Sequence, residues 1–287
     1  MILVDNSQIV LSSIFSQYPN PETIVENDPI NLIRHITLNT YRHIKDKFGK
    51  DYGDLVICQD STNYWRKDIF PHYKANRKKA QQDKQEYWNI VYGAMAKIRH
   101  EVAENMPYKN IKVDRCEADD IIGVLAKNYH TTENILIVSN DKDFQQLLYY
   151  PNVKLYSPHK KIMVECEDPT MFLFEQIVRG DSSDGVPNIL SDADTFLVES
   201  KRQKPITAKR LAEFLNTIPQ DIASGKMHFT VEAFKRNQQL IDLSMIPAEY
   251  EQEILNSFAA NHINNHKMFN YFVEHKLTHL MKDLTSF

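Results

Sequence analysis

Glycine is scarce in this chain, with seven among 287 residues and none between Gly185 and Gly225. No internal repeat and no low-complexity tract is present, so repeat architectures are set aside. Cysteine is scarcer still: Cys58, Cys116 and Cys166 are widely spaced and form no C-x-x-C pair. That excludes a disulfide framework and a cysteine-based zinc site, and it fits a reducing, cytoplasmic setting. No apolar run approaches the roughly 20 residues of a membrane span. Asp5 interrupts the opening apolar run and no basic stretch precedes it, so a signal peptide is not expected either. The formal net charge of −4 withholds the global basic signal of many nucleic-acid binders, so such a function has to show in the local distribution of charge.

What is there is an ordinary soluble composition, 42% hydrophobic and 25% charged, in a chain long enough for one large α/β domain and a smaller helical part. Short apolar runs at residues 2–4, 55–58, 111–113 and 135–138 are predicted as buried strands of a mostly parallel sheet flanked by helices. Ile33, Ile36, Thr40, Tyr41, Ile44 and Phe48 recur at three- and four-residue steps, which predicts a crossover helix between the first two strands. Residues 153–156 and 161–164 flank Ser157-Pro158-His159-Lys160 and predict an edge hairpin. From about Thr170 the pattern turns helical. The expected organisation is an α/β domain over 1–180 and a helical region over 181–287.

In an open parallel sheet, ligand sites form beyond the carboxyl ends of the strands. Asp5 follows the first run, Asp60 the second, Cys116-Glu117-Ala118-Asp119-Asp120 the third, and Asp141 and Asp143 the fourth. One such Asp is as well explained by a turn or a helix cap, whereas four strand ends in a row are not. Glu117 and Asp120 are three apart at the start of a predicted helix over 118–129, so they share a face and the helix N-terminus favours their charge. Asp119 reads equally as a plain first-turn residue. Two carboxylates about 4 Å apart repel by about 4 kcal/mol at an effective dielectric of about 20, so the cluster must protonate or hold cations. Oxygen ligands without nearby Cys or His point to two Mg²⁺ or Mn²⁺ ions and to two-metal phosphoryl chemistry. Gly180-Asp-Ser-Ser-Asp-Gly185 adds Asp181 and Asp184, which alone also read as a solvated turn.

Over residues 66–84, Arg66, Lys67, Lys74, Arg77, Lys78, Lys79 and Lys84 stand against Asp68 and Asp83, a local excess of five positive charges in an acidic chain. Tyr64, Trp65, Phe70, Tyr73, Tyr87 and Trp88 are interleaved with this run or border it, a composition suited to stacking on bases beside phosphate neutralisation. The plainer reading is an exposed charged helix with a few core aromatics. Lys201, Arg202, Lys209 and Arg210 form a second basic stretch, with a surface loop as the competing reading. At the C-terminus, apolar residues at 269, 272, 273, 277, 280, 281 and 284 predict a helix over 268–287 packed on the body, or a docking tail.

Leu3-Val-Asp-Asn-Ser-Gln8, Tyr64-Trp-Arg66, Tyr73-Lys-Ala-Asn-Arg77, Glu117-Ala-Asp-Asp120, Asp141-Lys-Asp143 and Gly180-Asp-x-x-Asp184, in this order, resemble the flap endonuclease and 5′ to 3′ exonuclease family. The resemblance implies a PIN-like 5′ nuclease fold, with a helical C-terminal part and a helical arch over about 66–95. It implies that Asp5, Asp60, Glu117, Asp119, Asp120, Asp141 and Asp143 bind two catalytic Mg²⁺ ions, replaceable by Mn²⁺, and that Asp181 and Asp184 complete a second, looser site. It places Arg66, Lys74 and Arg77 at the scissile phosphate, stacks Tyr73 on a base, and makes metal-activated water the nucleophile, with no side-chain general base. Lys67, Lys78 and Lys79 extend the basic surface. The implied substrates are RNA–DNA hybrid and 5′-flap or forked duplex DNA, met in removing RNA primers and adjacent DNA during lagging-strand replication. The implied setting is a monomeric enzyme, bacteriophage-encoded, in the host cytoplasm, with a sliding clamp or single-strand binding protein as partner. One departure stands out: members of the family usually carry a glycine-rich helix–three-turn–helix after Gly-Asp-x-x-Asp, and this chain has no glycine there. Lys201, Arg202, Lys209 and Arg210 are therefore predicted to replace its backbone contacts with side chains. Two rivals are a catalytically inactive nucleic-acid-binding scaffold, which an intact acidic set disfavours, and a PIN-type ribonuclease, whose chain would be shorter and without the arch.

Overall fold

The apolar runs at residues 2–4, 55–58 and 135–138 form strands because each is short, rich in Ile, Leu and Val, and buried on both faces, as interior parallel strands require. In this computed structural model, which describes residues 1–18, 30–77, 84–261, 263 and 267–287, six strands make one sheet: β1 (Ile2–Asp5), β2 (Leu55–Gln59), β3 (Lys109–Lys112), β4 (Ile135–Val138), β5 (Val153–Ser157) and β6 (Ile162–Val164). Their order is β3-β2-β1-β4-β5-β6, parallel except for β6, which pairs antiparallel with β5 as the predicted edge hairpin. The third strand lies at 109–112 rather than 111–113. At the edge only Ile111 of that strand is fully buried, so hydrophobicity marks its register poorly. Its outer edge is closed by the Asn261 side chain: Asn110 N donates to Asn261 Oδ1 (3.2 Å) and Asn261 Nδ2 donates to Asn110 O (2.8 Å).

The chain packs as two compact units, Met1–Asn63 with Lys84–Glu165 and Ala248–Phe287, and Tyr64–Asp83 with Cys166–Pro247. In the first, α1 (Asn6–Gln17), the crossover helix α2 (Ile30–Tyr52) and α4 (Gln85–Asn105) pack together against Ile2, Val4, Leu55, Ile57, Leu136 and Val138. These sheet residues alternate along their strands with Leu3, Val56 and Ile137, which point the other way. Two further helices of this unit are α5 (Ala118–Tyr129), which contacts β1 to β4, and α9 (Ala248–Ala260), which lies against α5 and β3. In the second unit, the one-turn helix α3 (Arg66–Ile69), α6 (Pro169–Arg179), α7 (Ala208–Ala223) and α8 (Phe229–Ile241) surround a separate core built on Phe70, Ile177, Val178, Val186 and Phe234. No helix among the described residues is long and apolar enough to cross a membrane.

The C-terminal segment departs from the single helix its periodicity predicts. Helix α10 covers Met268–Glu274, and a 3-10 stretch follows at Leu280–Ser286. Between them Lys276 takes φ 54, while Lys276 N donates to Val273 O (3.1 Å) and Leu277 N to Phe272 O (2.9 Å). That left-handed stop turns Tyr271, Phe272, Leu277, Leu280 and Phe287 into the core and leaves Phe269 and Val273 exposed. Tyr271 also reaches a buried ion pair. Arg34 of α2 donates to Glu101 of α4 through Nε (2.6 Å) and Nη2 (2.8 Å), and Tyr271 OH donates to Glu101 Oε2 (2.8 Å). Burial pushes Glu101 up, but Arg34 and Tyr271 together hold it below the usual carboxylate range.

Candidate metal centre and nucleic-acid interface

The chain leaves β1 for β2 and β3 on one side, then crosses back to β4 on the other, so the switch point of the sheet lies between the carboxyl ends of β1 and β4. Asp5 ends β1 there and caps α1, accepting from Gln8 N (3.2 Å). Ser139, the residue after β4, donates through Oγ to Asp5 Oδ2 (3.1 Å) and accepts from Asp141 N (3.0 Å). Asp141 in turn accepts from Asp143 N (2.9 Å) and opens a 3-10 turn, leaving its own side chain exposed. Across β1, Asp60 follows β2; it accepts from Ala118 N at the start of α5 (2.9 Å) and from the Ser7 hydroxyl.

Electrostatics ties these groups together. Burial, then Asp60 and also Asp141, push the Asp5 carboxyl up to about 7, against the hydrogen bonds from Gln8 and Ser139. Burial together with the fields of Asp5, Asp60 and Asp119 raises the Cys58 thiol, so Cys58 stays protonated in the metal-free protein. Glu117 and Asp120 form a reciprocal capping box at α5, in which Glu117 N donates to Asp120 Oδ2 (2.9 Å), and both are buried; Asp119 is half-exposed. This pair therefore orders the helix start that also holds Asp60. Among the described residues no three of these side chains converge on one point at metal-bonding distance. Hydroxyls and backbone N–H groups occupy them instead. An all-oxygen set with a buried, repelled carboxylate at its centre fits hard divalent cations, which would relieve the charge that now holds Asp5 high. Ser7 and Ser139 went unread in the sequence. Their signal was a hydroxyl two residues from a strand-end Asp in each case, Asp5-Asn-Ser7 and Ser139-Asn-Asp141.

The Gly180–Val186 turn belongs to the second unit. Gly180 has φ 68, and a Cβ there would stand 2.3 Å from Val186 O, so the turn demands glycine. Asp181 is buried and accepts from Ser183 N (2.7 Å) and Ser183 Oγ (2.6 Å). Asp184 accepts from Tyr73 OH (2.9 Å) and from Arg77 Nη2 (2.5 Å), with Lys74 Nζ at 3.6 Å. Lys74 N also donates to Asp184 O (2.7 Å). The structure thus gathers Tyr73, Lys74 and Arg77 around Asp184. The stacking role expected of Tyr73 is corrected here: its ring is 4% exposed, set edge-on to Tyr64, and it offers a hydroxyl rather than a face. Arg66 is buried too, its Nε donating to Leu240 O (2.9 Å) and its guanidinium lying over Trp65. Lys67 lies over Tyr64. Lys78 and Lys79, and with them part of the expected arch, lie outside the described residues.

Of the second basic stretch, Lys201 pairs with Asp192 (3.0 Å) and Asp194 (2.6 Å), and Arg202 donates to the Glu199 and Lys201 carbonyls. Lys209 and Arg210 are exposed in the first turn of α7, which Thr207 caps. In place of glycine turns, the loop before α7 is clasped by side chains: Asn188 N donates to Gln203 Oε1 (2.8 Å), Asn188 Nδ2 to Lys204 O (2.8 Å), and Lys204 N to Ser191 Oγ (2.9 Å).

Comparison with known proteins places this geometry. Residues 1–173 match the family model described as the 5′-3′ exonuclease N-terminal, resolvase-like domain, and residues 167–287 match that of the T4 RNase H C-terminal region. The chain is 30% identical over 295 residues to the ribonuclease H of Enterobacteria phage T4, covering 99% of this chain and 95% of that one. It is 30% identical over 198 residues to a 5′-3′ exonuclease of Buchnera aphidicola, 66% of this chain and 65% of the other. A bacteriophage T5 flap endonuclease, solved as a pseudo-enzyme–product complex with DNA and metal ions, superposes with a TM-score of 0.65 over 90% of this chain and 98% of its own at 18% identity, which shows a shared PIN-like fold.

Proposed function

This chain belongs to the 5′-3′ exonuclease family, and from that premise we propose that it is a two-metal nuclease that removes RNA, with adjacent DNA, from the 5′ ends of RNA–DNA hybrids and forked or flapped duplexes. The observation that carries the reading is the buried Asp5 carboxyl, raised to about 7 beside Asp60 and Asp141 at the switch point of the sheet. Mg²⁺ is the proposed physiological ion, with Mn²⁺ as substitute, held by Asp5, Asp60, Asp119, Asp141 and Asp143 and supported by Glu117 and Asp120. Bound there, such ions supply Lewis acidity and lower the pKa of water for attack on phosphorus.

The chain's own residues do the positioning. Ser7 and Ser139 aim the Asp60 and Asp5 carboxylates, and Ser139 couples Asp5 to the Asp141 loop. Lys74 and Arg77, held at Asp184 in the free protein, exchange that carboxylate for substrate phosphate, which releases Asp184 to join Asp181 as a looser ion site. Lys67, Lys78, Lys79, Lys209 and Arg210 carry the phosphates of the duplex and its 5′ strand, with Arg66, Lys201 and Arg202 contributing through the loops they brace. We assign it, as a monomer in the host cytoplasm, to primer removal alongside a sliding clamp and single-strand binding protein.

The test is cleavage of 5′-labelled RNA–DNA hybrid and DNA flap substrates in Mg²⁺ and in EDTA, beside Asp141→Asn assayed for binding. Metal-dependent release of short 5′ products, lost in a variant that still binds, is the expected result. Binding without cleavage under every divalent ion would overturn the enzymatic reading.

A further inference from the structure

Asn140 separates Ser139, whose hydroxyl holds Asp5, from Asp141, and its side chain bonds to neither. Its Oδ1 instead accepts twice from the turn between β5 and β6, from Ser157 Oγ (2.7 Å) and from His159 N (3.0 Å). The pairing of β4 with β5 sets Val138 against Tyr156, and Ser139 N donates to Tyr156 O (3.2 Å), so Asn140 arrives just where β5 gives way to that turn. Ser157 is buried, and its Oγ also accepts from Lys160 N (3.3 Å). One hydroxyl thus closes the turn and joins it to the loop that carries Asp141.

A cleft opens beside this link, with Asp141, Lys142 and Gln145 on the loop side and His159 and Lys160 on the turn side. On that side, directed hydrogen bonds rather than close packing set where the loop stands. The turn itself needs an anchor: Lys161 takes φ 58, a left-handed conformation that a non-glycine residue keeps only where its surroundings enforce it, and Lys161 N donates to Ser157 O (2.7 Å). Like charge acts against the loop, since the Asp141 carboxylate is repelled by Asp5 until a cation lies between them. The hydrogen bonds of Ser139 and Asn140 oppose that drift. A loop already in place loses less freedom when the cation arrives.

We propose that Asn140 is a positioning residue: by fastening the Asp141 loop to the turn between β5 and β6, it holds Asp141 ready for a divalent cation and so sets the affinity of the site. That a cation binds there rests on the nuclease reading; the fastening rests on the hydrogen bonds from Ser157 and His159.

The test measures Mn²⁺ binding to the full-length protein by titration calorimetry, without nucleic acid, in wild type, Asn140→Ala, Ser157→Ala and the double variant. Asn140→Ala should weaken binding about tenfold, the low end of what partners behind metal ligands contribute. Ser157→Ala leaves His159 N donating to Asn140 and should weaken it about threefold. The double variant should bind no more weakly than Asn140→Ala alone, because both changes break one link. A second readout needs no metal: in EDTA, hydrogen exchange over residues 156–161 should quicken in Asn140→Ala and stay at the wild-type rate in Asn140→Asp, which keeps the acceptor oxygen. Unchanged Mn²⁺ affinity in Asn140→Ala would overturn the proposal. So would a loss in Asn140→Ala with none in Ser157→Ala, which would make Asn140 a direct ligand. Cleavage of hybrid and flap substrates separates the two readings. Mn²⁺ binding that depends on Asn140 without any cleavage sinks the nuclease reading alone, cleavage with equal Mn²⁺ affinity in every variant sinks the positioning role alone, and a wild type that binds no Mn²⁺ sinks both.

Discussion

Replacing Asp5 by Asn should make the metal-free protein more stable while abolishing cleavage. Asp5 is held near pKa 7 by burial and by Asp60 and Asp141, whereas in the unfolded chain it titrates as an ordinary carboxyl at 3.8. Below about pH 4 the carboxyl is protonated in both states and costs nothing. As pH rises toward 7 the unfolded chain gives up the proton and the native state keeps it, so native stability falls. Above pH 7 the full penalty is present, about 4 kcal/mol from the displacement of the titration. Part of this belongs to Asp60 and Asp141, and the Asn amide must still be accommodated against the Ser139 hydroxyl, so the net gain expected for Asp5→Asn is roughly 2 kcal/mol at pH 8. Urea unfolding in EDTA at pH 4 and pH 8 measures it: the advantage of the variant should be far smaller at pH 4 than at pH 8. Added Mn²⁺ should stabilise the wild type more than the variant, because binding to the native state relieves the same repulsion. A variant no more stable than the wild type at pH 8 would refute the view that Asp5 is a strained carboxylate awaiting a cation.

Two further predictions concern the scaffold. Glu101→Gln leaves the Arg34 guanidinium buried without its counter-charge and should cost about 3–5 kcal/mol in chemical denaturation, while Arg34→Met with Glu101→Leu should recover most of it; a loss under about 1 kcal/mol for the single change would contradict the burial argument. Gly180→Ala meets the Val186 carbonyl at 2.3 Å and should lower stability by more than about 2 kcal/mol, whereas Gly225→Ala, at a similar φ of 71 but with nothing within 4 Å, should cost only about 1 kcal/mol. Equal melting temperatures for the two variants would mean that the close approach at Gly180 is relieved by the loop.

The sheet was legible because interior parallel strands are continuous apolar runs and because helix, turn and strand-end chemistry agree on where each stops. Asp5, Asp60 and Asp141 could be read as one cluster for the same reason: the carboxyl ends of adjacent parallel strands must meet. Asp184 was harder. Sequence spacing cannot say that Tyr73, Lys74 and Arg77, more than a hundred residues earlier, close on it, since that contact depends on the packing of a whole unit. Tyr73 was misread because an aromatic in a basic run looks like a stacking residue until its hydroxyl is found bound to a carboxylate. The C-terminal helix was misread because the apolar spacing passes unbroken through Lys276, and nothing in a lysine announces a positive φ.

The first unit is assembled from three separated stretches, the last of which begins at Ala248, after all of the second unit has been passed. A chain emerging from the ribosome therefore completes residues 166–247 while the sheet still lacks α9 at its flank, Asn261 at the edge of β3 and Tyr271 at the Arg34–Glu101 pair. During that interval an open strand edge and a partly covered ion pair wait for the segment that finishes them. The strand carrying Asp5 is thus made before the second unit, and the unit that contains it is completed only after the second unit has been made.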